Sequence, residues 1–386
     1  MSGYVDVIST HEIVGWSDAK VQVVVNGRHI ADVTPDTDRL DAVRAGYILA
    51  RGFYFCPIEH LVPGENDVEI RSQAGAVLPN GRAKIYCSAA EKVDTHWSNY
   101  YTTRHEKATR WWQCERIVQH VNKRVCGEPL STLPHGIFRL FEQRLPHKIP
   151  IHRAVSVGCG TGNNEMAAIR YGVIENFDLF ELSKSAIELG RIAAAQSGLS
   201  ERMRFQQGNA FELVPQNAAY DAVFWFQALH HMPDVDAALA WSRHVLKPGG
   251  VLLMDDFVGP TRMQWSDRLL DINTNYRKSL PHRYLADPTN RGRQLPTEIK
   301  RASIDQMISY DPSECADSER IVVSLRKHFP GVEVIFKGGG IYHLGLNDVL
   351  CNLIEAGDES ELDRALALDD SCLDESHYAV AIAVKH

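Results

Sequence analysis

The chain has 386 residues, 44% hydrophobic and 23% charged, with a formal net charge of −8. Such a length suggests two domains or three with full cores, and the composition excludes a disordered chain. A mild negative charge without basic blocks speaks against a nucleic-acid binder, and no apolar run is long enough for a membrane span. Met1–Thr10 lacks the basic region and apolar core of a secretion signal, and the eight cysteines include no C-x-x-C pair. A reduced cytoplasmic protein is expected.

The first ninety or so residues read as short strands. Lys20–Val25 and Arg28–Val33 flank Asn26-Gly27, the strongest local hairpin signal because both turn positions favour positive φ. Gly52–Ile58, Asp67–Arg71 and Ala83–Ser88 follow, separated by Pro63-Gly64 and Pro79-Asn80-Gly81. This pattern predicts a β-sandwich module over 1–90 with a helical insertion around Asp38–Leu49. Residues 91–150 turn helical and aromatic, with Trp97, Tyr100, Tyr101, Trp111 and Trp112, and Trp111–Lys123 reads as one amphipathic helix. That stretch is read as a lid or linker.

Residues 151–386 alternate strand and helix. Strands are expected at Ala154–Val157, Phe177–Phe180, Met203–Gln206, Ala222–Phe226 and Val251–Met254. Helices are expected at Gly162–Tyr171, Ser183–Ser197 and Val235–Leu246. The order implies an α/β fold with a doubly wound, mostly parallel sheet. An irregular insertion near 259–312 follows, then a helix at Ser318–His328 and strands at Val332–Phe336 and Tyr378–Val384.

Gly158-Cys159-Gly160-Thr161-Gly162 follows the first of these strands and opens a helix, the context of a nucleotide-binding loop. The dinucleotide spacing would place a third glycine at Asn163, which weighs against a nicotinamide oxidoreductase, and no G-K-[ST] follows for a P-loop. Glu181 ends the second strand, where a carboxylate can accept from ribose hydroxyls. Asn209 and Ala210 follow the third strand, Gln227 the fourth, and Lys247-Pro248-Gly249-Gly250 precedes the fifth.

In order and spacing these elements resemble the class I S-adenosylmethionine-dependent methyltransferases. The resemblance implies a Rossmann-like seven-stranded sheet with an antiparallel last strand, S-adenosyl-L-methionine as cofactor and S-adenosyl-L-homocysteine as product. It implies that Gly158, Gly160 and Gly162 line the methionine and ribose, that Glu181 holds the ribose, and that Asn209 and Ala210 meet the adenine. Leu182 and Gln227 complete the implied cofactor-binding set. One departure is plain, since the family commonly has an acidic residue where Ser156 stands.

A narrower resemblance, to bacterial enzymes found with surface-glycan biosynthesis, rests on Trp111-Trp112, Val258–Trp265, Asp311-Pro312-Ser313-Glu314 and Gly338–Leu344. It implies O-methylation of a glycan or glycan precursor, with the N-terminal module docking other glycan-biosynthesis enzymes. A small-molecule natural product as acceptor, or a non-catalytic binding protein of the same fold, are the competing readings.

A hydroxyl acceptor calls for a base on the loops beyond the strand ends. The candidates are His230, His231, His343 and Asp256. Adjacent carboxylates such as Asp255 and Asp256 point to opposite faces of a strand, and no H-E-x-x-H or spaced Cys/His cluster occurs, so no metal is expected. Arg262, Arg268, Arg277, Arg283, Arg291, Arg293 and Arg301 suggest a surface for an anionic or glycan acceptor.

Overall fold

The computed structural model describes residues 3–47, 49–102, 109–214 and 219–386, without the side chains of 40, 44 and 98–102. Ile48 of the expected helical insertion and the side chains of Tyr100 and Tyr101 thus lie outside the described part. Met1–Asn99 with Asp305–Pro312 form one compact unit, and Tyr100–Ile304 with Ser313–His386 form another.

The first unit holds strands β1 (Gly3–Ile8), β2 (Ile13–Ser17), β3 (Val21–Val25), β4 (Arg28–Val33), β5 (Thr37–Asp38), β6 (Arg51–Phe55), β7 (Gly64–Ser72) and β8 (Val77–Cys87). They make two four-stranded antiparallel sheets, β1-β2-β6-β5 and β4-β3-β7-β8. Val5, Ile13 and Phe53 of one sheet share a buried cluster with Val21, Val23, Val68 and Ile70 of the other. The hairpin forms as its turn dictates, with Val25 opposite Arg28 and positive φ at Asn26 and Gly27. The insertion shrinks to helix α1 (Leu40–Arg44), and α2 (Ala89–Thr102) follows β8.

The second unit opens with a correction. Trp111–Lys123 is not one helix: a 3-10 turn at Trp111–Gln113 is followed by α3 (Glu115–Cys126), with Cys114 extended between them. The break lets Trp111 leave the helix face and pack on Tyr342 and Tyr378, while Ile117, Val118 and Val121 of α3 stay buried. Next come α4 (His135–Arg144), β9 (Ile151–Val157), α5 (Asn163–Tyr171), β10 (Ile174–Glu181), α6 (Lys184–Gln196), β11 (Met203–Gln207), α7 (Ala210–Leu213), β12 (Tyr220–Phe226), α8 (Val235–Val245) and β13 (Leu246–Phe257).

The insertion is also more ordered than its sequence suggests, with α9 (Asp267–Ser279) and α10 (Ile304–Tyr310). Its polar composition hides α9, which starts where Ser266 Oγ accepts from the Leu269 N–H and buries Leu269, Asn273, Tyr276 and Arg277. The chain ends with α11 (Ile321–His328), β14 (Glu333–Gly338), α12 (Leu350–Ala356), α13 (Glu359–Asp370) and β15 (Tyr378–Val384).

The seven-stranded sheet has the order β11-β10-β9-β12-β13-β15-β14. The first five strands pair in parallel, and β15 runs antiparallel to both β13 and β14. Alternation along the strands splits the core. Ala154, Leu179, Phe224 and Leu253 face a cluster with α4, α5 and α6, whereas Val155, Phe180, Val223 and Leu252 face one with α8 and α11. Among the described residues no helix is long and apolar enough to cross a membrane.

In the first unit, Lys92 of α2 is buried and donates to the carbonyls of Glu59 at 3.0 Å, Leu61 at 2.6 Å and Ser309 at 3.4 Å. Burial pushes its ammonium below the usual lysine range. Lys92→Met leaves these acceptors unpaired and should cost about 1–3 kcal/mol. Urea unfolding followed by a first-unit probe checks this, and unchanged stability would mean that water replaces the ammonium.

Candidate active site

The glycine loop joins β9 to α5 with positive φ at Gly158 (64°), Gly160 (54°) and Gly162 (73°). A side chain at Gly162 would meet Met203 Cε and Phe205 Cζ at 2.9 Å, so the loop stays close to β11 only because glycine is there. The N–H groups of Gly158 and Cys159 donate to the Phe180 carbonyl at 2.8 and 3.3 Å.

Glu181 ties this loop to the next one. One carboxylate oxygen accepts from the Gly160 N–H at 2.8 Å, and the other accepts from the N–H groups of Leu182 (2.8 Å) and Ser183 (2.9 Å). Its carbonyl accepts from the Gly208 N–H at 3.0 Å, which brings the third loop alongside. There Asn209 caps α7, its side-chain oxygen accepting from Phe211 N–H at 3.0 Å while its amide donates to Glu212 at 2.9 Å; Ala210 is buried behind it. Gln227 has φ 53°, with its N–H donating to the Asp255 carbonyl at 2.9 Å. The eight residues expected to hold the cofactor thus all lie at the carboxyl ends of β9–β12, Glu181 closing β10 and the others on the loops and helix starts that follow.

Beneath the loop, Ser156 donates to Glu165 Oε1 at 2.6 Å, both side chains being buried. Glu165 Oε2 has no hydrogen-bond partner among the described residues. Burial pushes this carboxyl up to about 7.

The candidate bases divide into two groups. Asp256, fully buried, accepts from the N–H groups of Ala228 (2.9 Å), Leu229 (2.8 Å) and Phe257 (2.8 Å), and its Oδ1 lies 2.5 Å from His230 Nδ1. His230 Nε2 then faces Glu314 Oε1 at 3.9 Å, while His231 Nδ1 meets Ser313 Oγ at 3.0 Å. Burial alone would raise Glu314, but His230 and His231, the Cys315 thiol and His343 together hold it below the usual glutamate range. His343 sits apart, its Nδ1 at 3.2 Å from His377 Nδ1, and burial lowers it to about 4, so it is neutral at pH 7.

Asp255 points the other way, as strand alternation requires, into a buried pair with Lys337. Glu314 joins the His230 group although sequence reasoning gave it no role beyond its place in Asp311-Pro312-Ser313-Glu314. Among the described residues one group, His230, His231 and Glu314, brings possible metal-ligand atoms within 4.8 Å of one another.

The arginines of 262–301 are not an open cationic surface. Arg268 pairs with Asp374, Arg291 with Glu355, and Arg301 with Asp267. Arg277 donates to the carbonyls of Gly345, Pro296 and Asn347, Arg262 to that of Glu314, and Arg283 to the Tyr284 hydroxyl. These six hold the insertion together, so their count gives no sign of an acidic acceptor.

Because Glu165 binds its proton more tightly folded than unfolded, its stabilising contribution is complete below the ordinary glutamate range and lost as pH rises through about 7. Relative to wild type, Glu165→Gln should gain up to about 3 kcal/mol between about pH 5 and pH 8. Chemical denaturation at both pH values checks the sign; a difference independent of pH would place the carboxyl in water.

Residues 152–309 match the family model described as "Methyltransferase domain". The 27-O-demethylrifamycin SV methyltransferase of Amycolatopsis mediterranei is 30% identical over 133 residues, 33% of this chain and 47% of that protein. The ubiquinone/menaquinone biosynthesis C-methyltransferase of Brucella anthropi is 29% identical over 118 residues, 29% of this chain and 43% of that protein. The chain therefore spans less than half the length of each. The phosphoethanolamine N-methyltransferase 2 of Haemonchus contortus, solved with S-adenosyl-L-methionine, is similar at TM-score 0.45 and 14% identity, covering 99% of this chain and 71% of that one. The matched segment carries the glycine loop and, from Ile151, the five parallel strands β9–β13, and it is similar to S-adenosylmethionine-dependent methyltransferase domains.

Proposed function

We propose that the protein transfers a methyl group from S-adenosylmethionine to a hydroxyl of an acceptor, with His230 as the base and Asp256 as its positioning partner. The observation that carries this reading is the Asp256 carboxylate, fixed by three backbone N–H groups and bonded to His230 Nδ1 at 2.5 Å. A carboxylate so held sets the imidazole's tautomer and rotation and leaves Nε2 as the proton-accepting atom.

Gly158, Gly160, Gly162, Glu181, Leu182, Asn209, Ala210 and Gln227 form the cofactor cradle in this reading. Positive-φ glycines bring the backbone close to a ligand, and Glu181 exchanges a loop N–H contact for ribose hydroxyls. The bound cofactor supplies a sulfonium methyl that is already electrophilic. His230 takes the hydroxyl proton as the oxygen–carbon bond forms and the carbon–sulfur bond breaks, the electron pair staying on sulfur. Glu314 faces the imidazole and stabilises the cation formed there.

A glycan or glycan precursor is one acceptor class, supported by the resemblance of the longer motifs; a small natural product is the other, and the internally paired arginines give neither an advantage. The chain reads as a β module over 1–90, a helical aromatic stretch over 91–150 and the cofactor-binding domain over 151–386, with an insertion near 259–312. The β module then orients the acceptor or a partner enzyme, in the cytoplasm.

His230→Gln should lower kcat by about 10²–10⁴-fold with S-adenosylmethionine affinity retained. Asp256→Asn should lower kcat in the same direction. Methyl transfer to extracted glycans and to hydroxylated small molecules, alongside calorimetry of cofactor binding, checks both; full activity of His230→Gln would remove the base assignment. The grouping of His230, His231 and Glu314 within 4.8 Å favours a second reading, a divalent ion that acidifies the acceptor hydroxyl. Chelator-treated protein stays active under the first reading and falls silent under the second.

A further inference from the structure

Trp111-Trp112 and Tyr342-His343 carry aromatic and polar groups that the proposed transfer step does not use. They meet in the second unit around a cavity of about 160 Å³, lined by Arg110, Trp111, Trp112, Tyr342, His343 and Asn347 among others. Such a volume holds about five waters, the bulk of one six-membered ring.

The lining combines apolar faces with polar edges, the usual make-up of a small-molecule site. Trp111 and Trp112 stand edge to face, their ring centres 5.8 Å apart and their planes at 83°. Trp111 is buried against Tyr342 and Tyr378, whereas Trp112 stays 47% exposed and offers a stacking surface. On the polar side, His343 Nδ1 faces His377 Nδ1 at 3.2 Å, so Nε2 is the ring atom left for a ligand. Arg110 donates to the side-chain oxygen of Asn347 and pairs with Asp348 at 3.3 Å.

These partners narrow the ligand. Arg110 already meets a carboxylate, and His343 is neutral at pH 7, so an anion gains no unpaired positive charge here. A wholly apolar ring would displace water from His343 and Asn347 without replacing its hydrogen bonds. A ring with C–H faces and hydroxyl edges suits both halves of the lining. The cavity also lies near the proposed base. The Phe257 ring centre is 6.0 Å from that of His230 and 6.1 Å from that of His343, so the two imidazoles stand no more than about 12 Å apart. Resting on the reading of His230 as the base, we propose that this cavity is an acceptor subsite that seats a neutral sugar ring, stacked on Trp112 and hydrogen-bonded by His343 and Asn347.

Saturation-transfer NMR on the full chain with S-adenosylmethionine tests this, using methyl α-glycosides of the common neutral hexoses and 6-deoxyhexoses as probes. At least one should receive saturation, and methyl glucuronide and cyclohexanol should receive little. Trp112→Ala should weaken that glycoside roughly tenfold and Trp112→Phe much less, because a smaller aromatic ring still stacks. Calorimetry should give both variants the wild-type affinity for S-adenosylmethionine, which also shows that they fold. No contact with any neutral glycoside, or undiminished contact in Trp112→Ala, would overturn the proposal. Cyclohexanol contact as strong as that of the glycosides would overturn it in favour of an apolar acceptor. A protein that holds a glycoside through Trp112 but binds no S-adenosylmethionine would keep the sugar site and overturn the transfer reading instead.

Discussion

The reversal of strand order between β9 and β12 is the constraint on which the rest of the molecule depends. From β9 the chain proceeds outward through β10 to β11, and from β12 it proceeds the other way through β13. In open α/β sheets such a reversal is where ligands are bound, at the carboxyl ends of the strands. The glycine loop leaves β9 there, and the Ala228–His231 segment leaves β12. Gly158 keeps them close, since a Cβ there would touch Ala228 Cβ at 3.1 Å.

Buried and half-buried carboxylates stand around these strand ends, each with different partners. Glu181 and Asp256 each accept hydrogen bonds from three backbone N–H groups. Asp255 is buried against Lys337, where desolvation offsets much of the attraction, so that pair is better read as fixing geometry than as a source of stability. Glu314 faces two imidazoles, and Glu165 has only a serine hydroxyl. Of these groups, Glu165 Oε2 has no hydrogen-bond partner among the described residues.

Much of this frame was legible in the sequence because it is local. Apolar runs such as Ala222–Phe226 are buried on both faces and mark sheet strands, Asn26-Gly27 forces its hairpin, and three glycines between a strand and a helix mark the loop. Pairings across long stretches of chain were not legible. Glu314 meets His230 only because the insertion returns to the carboxyl edge, and Glu165 reads as an ordinary first-turn acid until its side chain is seen to turn towards Ser156. The arginines of 262–301 misled because charge count carries no information on partners, which here are Asp267, Glu355 and Asp374. Trp111–Lys123 misled because helical periodicity continues through Cys114 although the backbone does not.

In the proposed reading S-adenosylmethionine sits on the loops beyond β9, β10 and β11. Hydrogen–deuterium exchange of the full chain, with and without saturating S-adenosylmethionine, tests it most directly, because backbone N–H groups are the loops' own reporters. Slowed exchange is expected at Gly158–Gly162, Leu182–Ser183 and Gly208–Glu212, with the strands of the N-terminal sheets unchanged. Protection confined to those N-terminal strands, or none at saturating ligand, would contradict it.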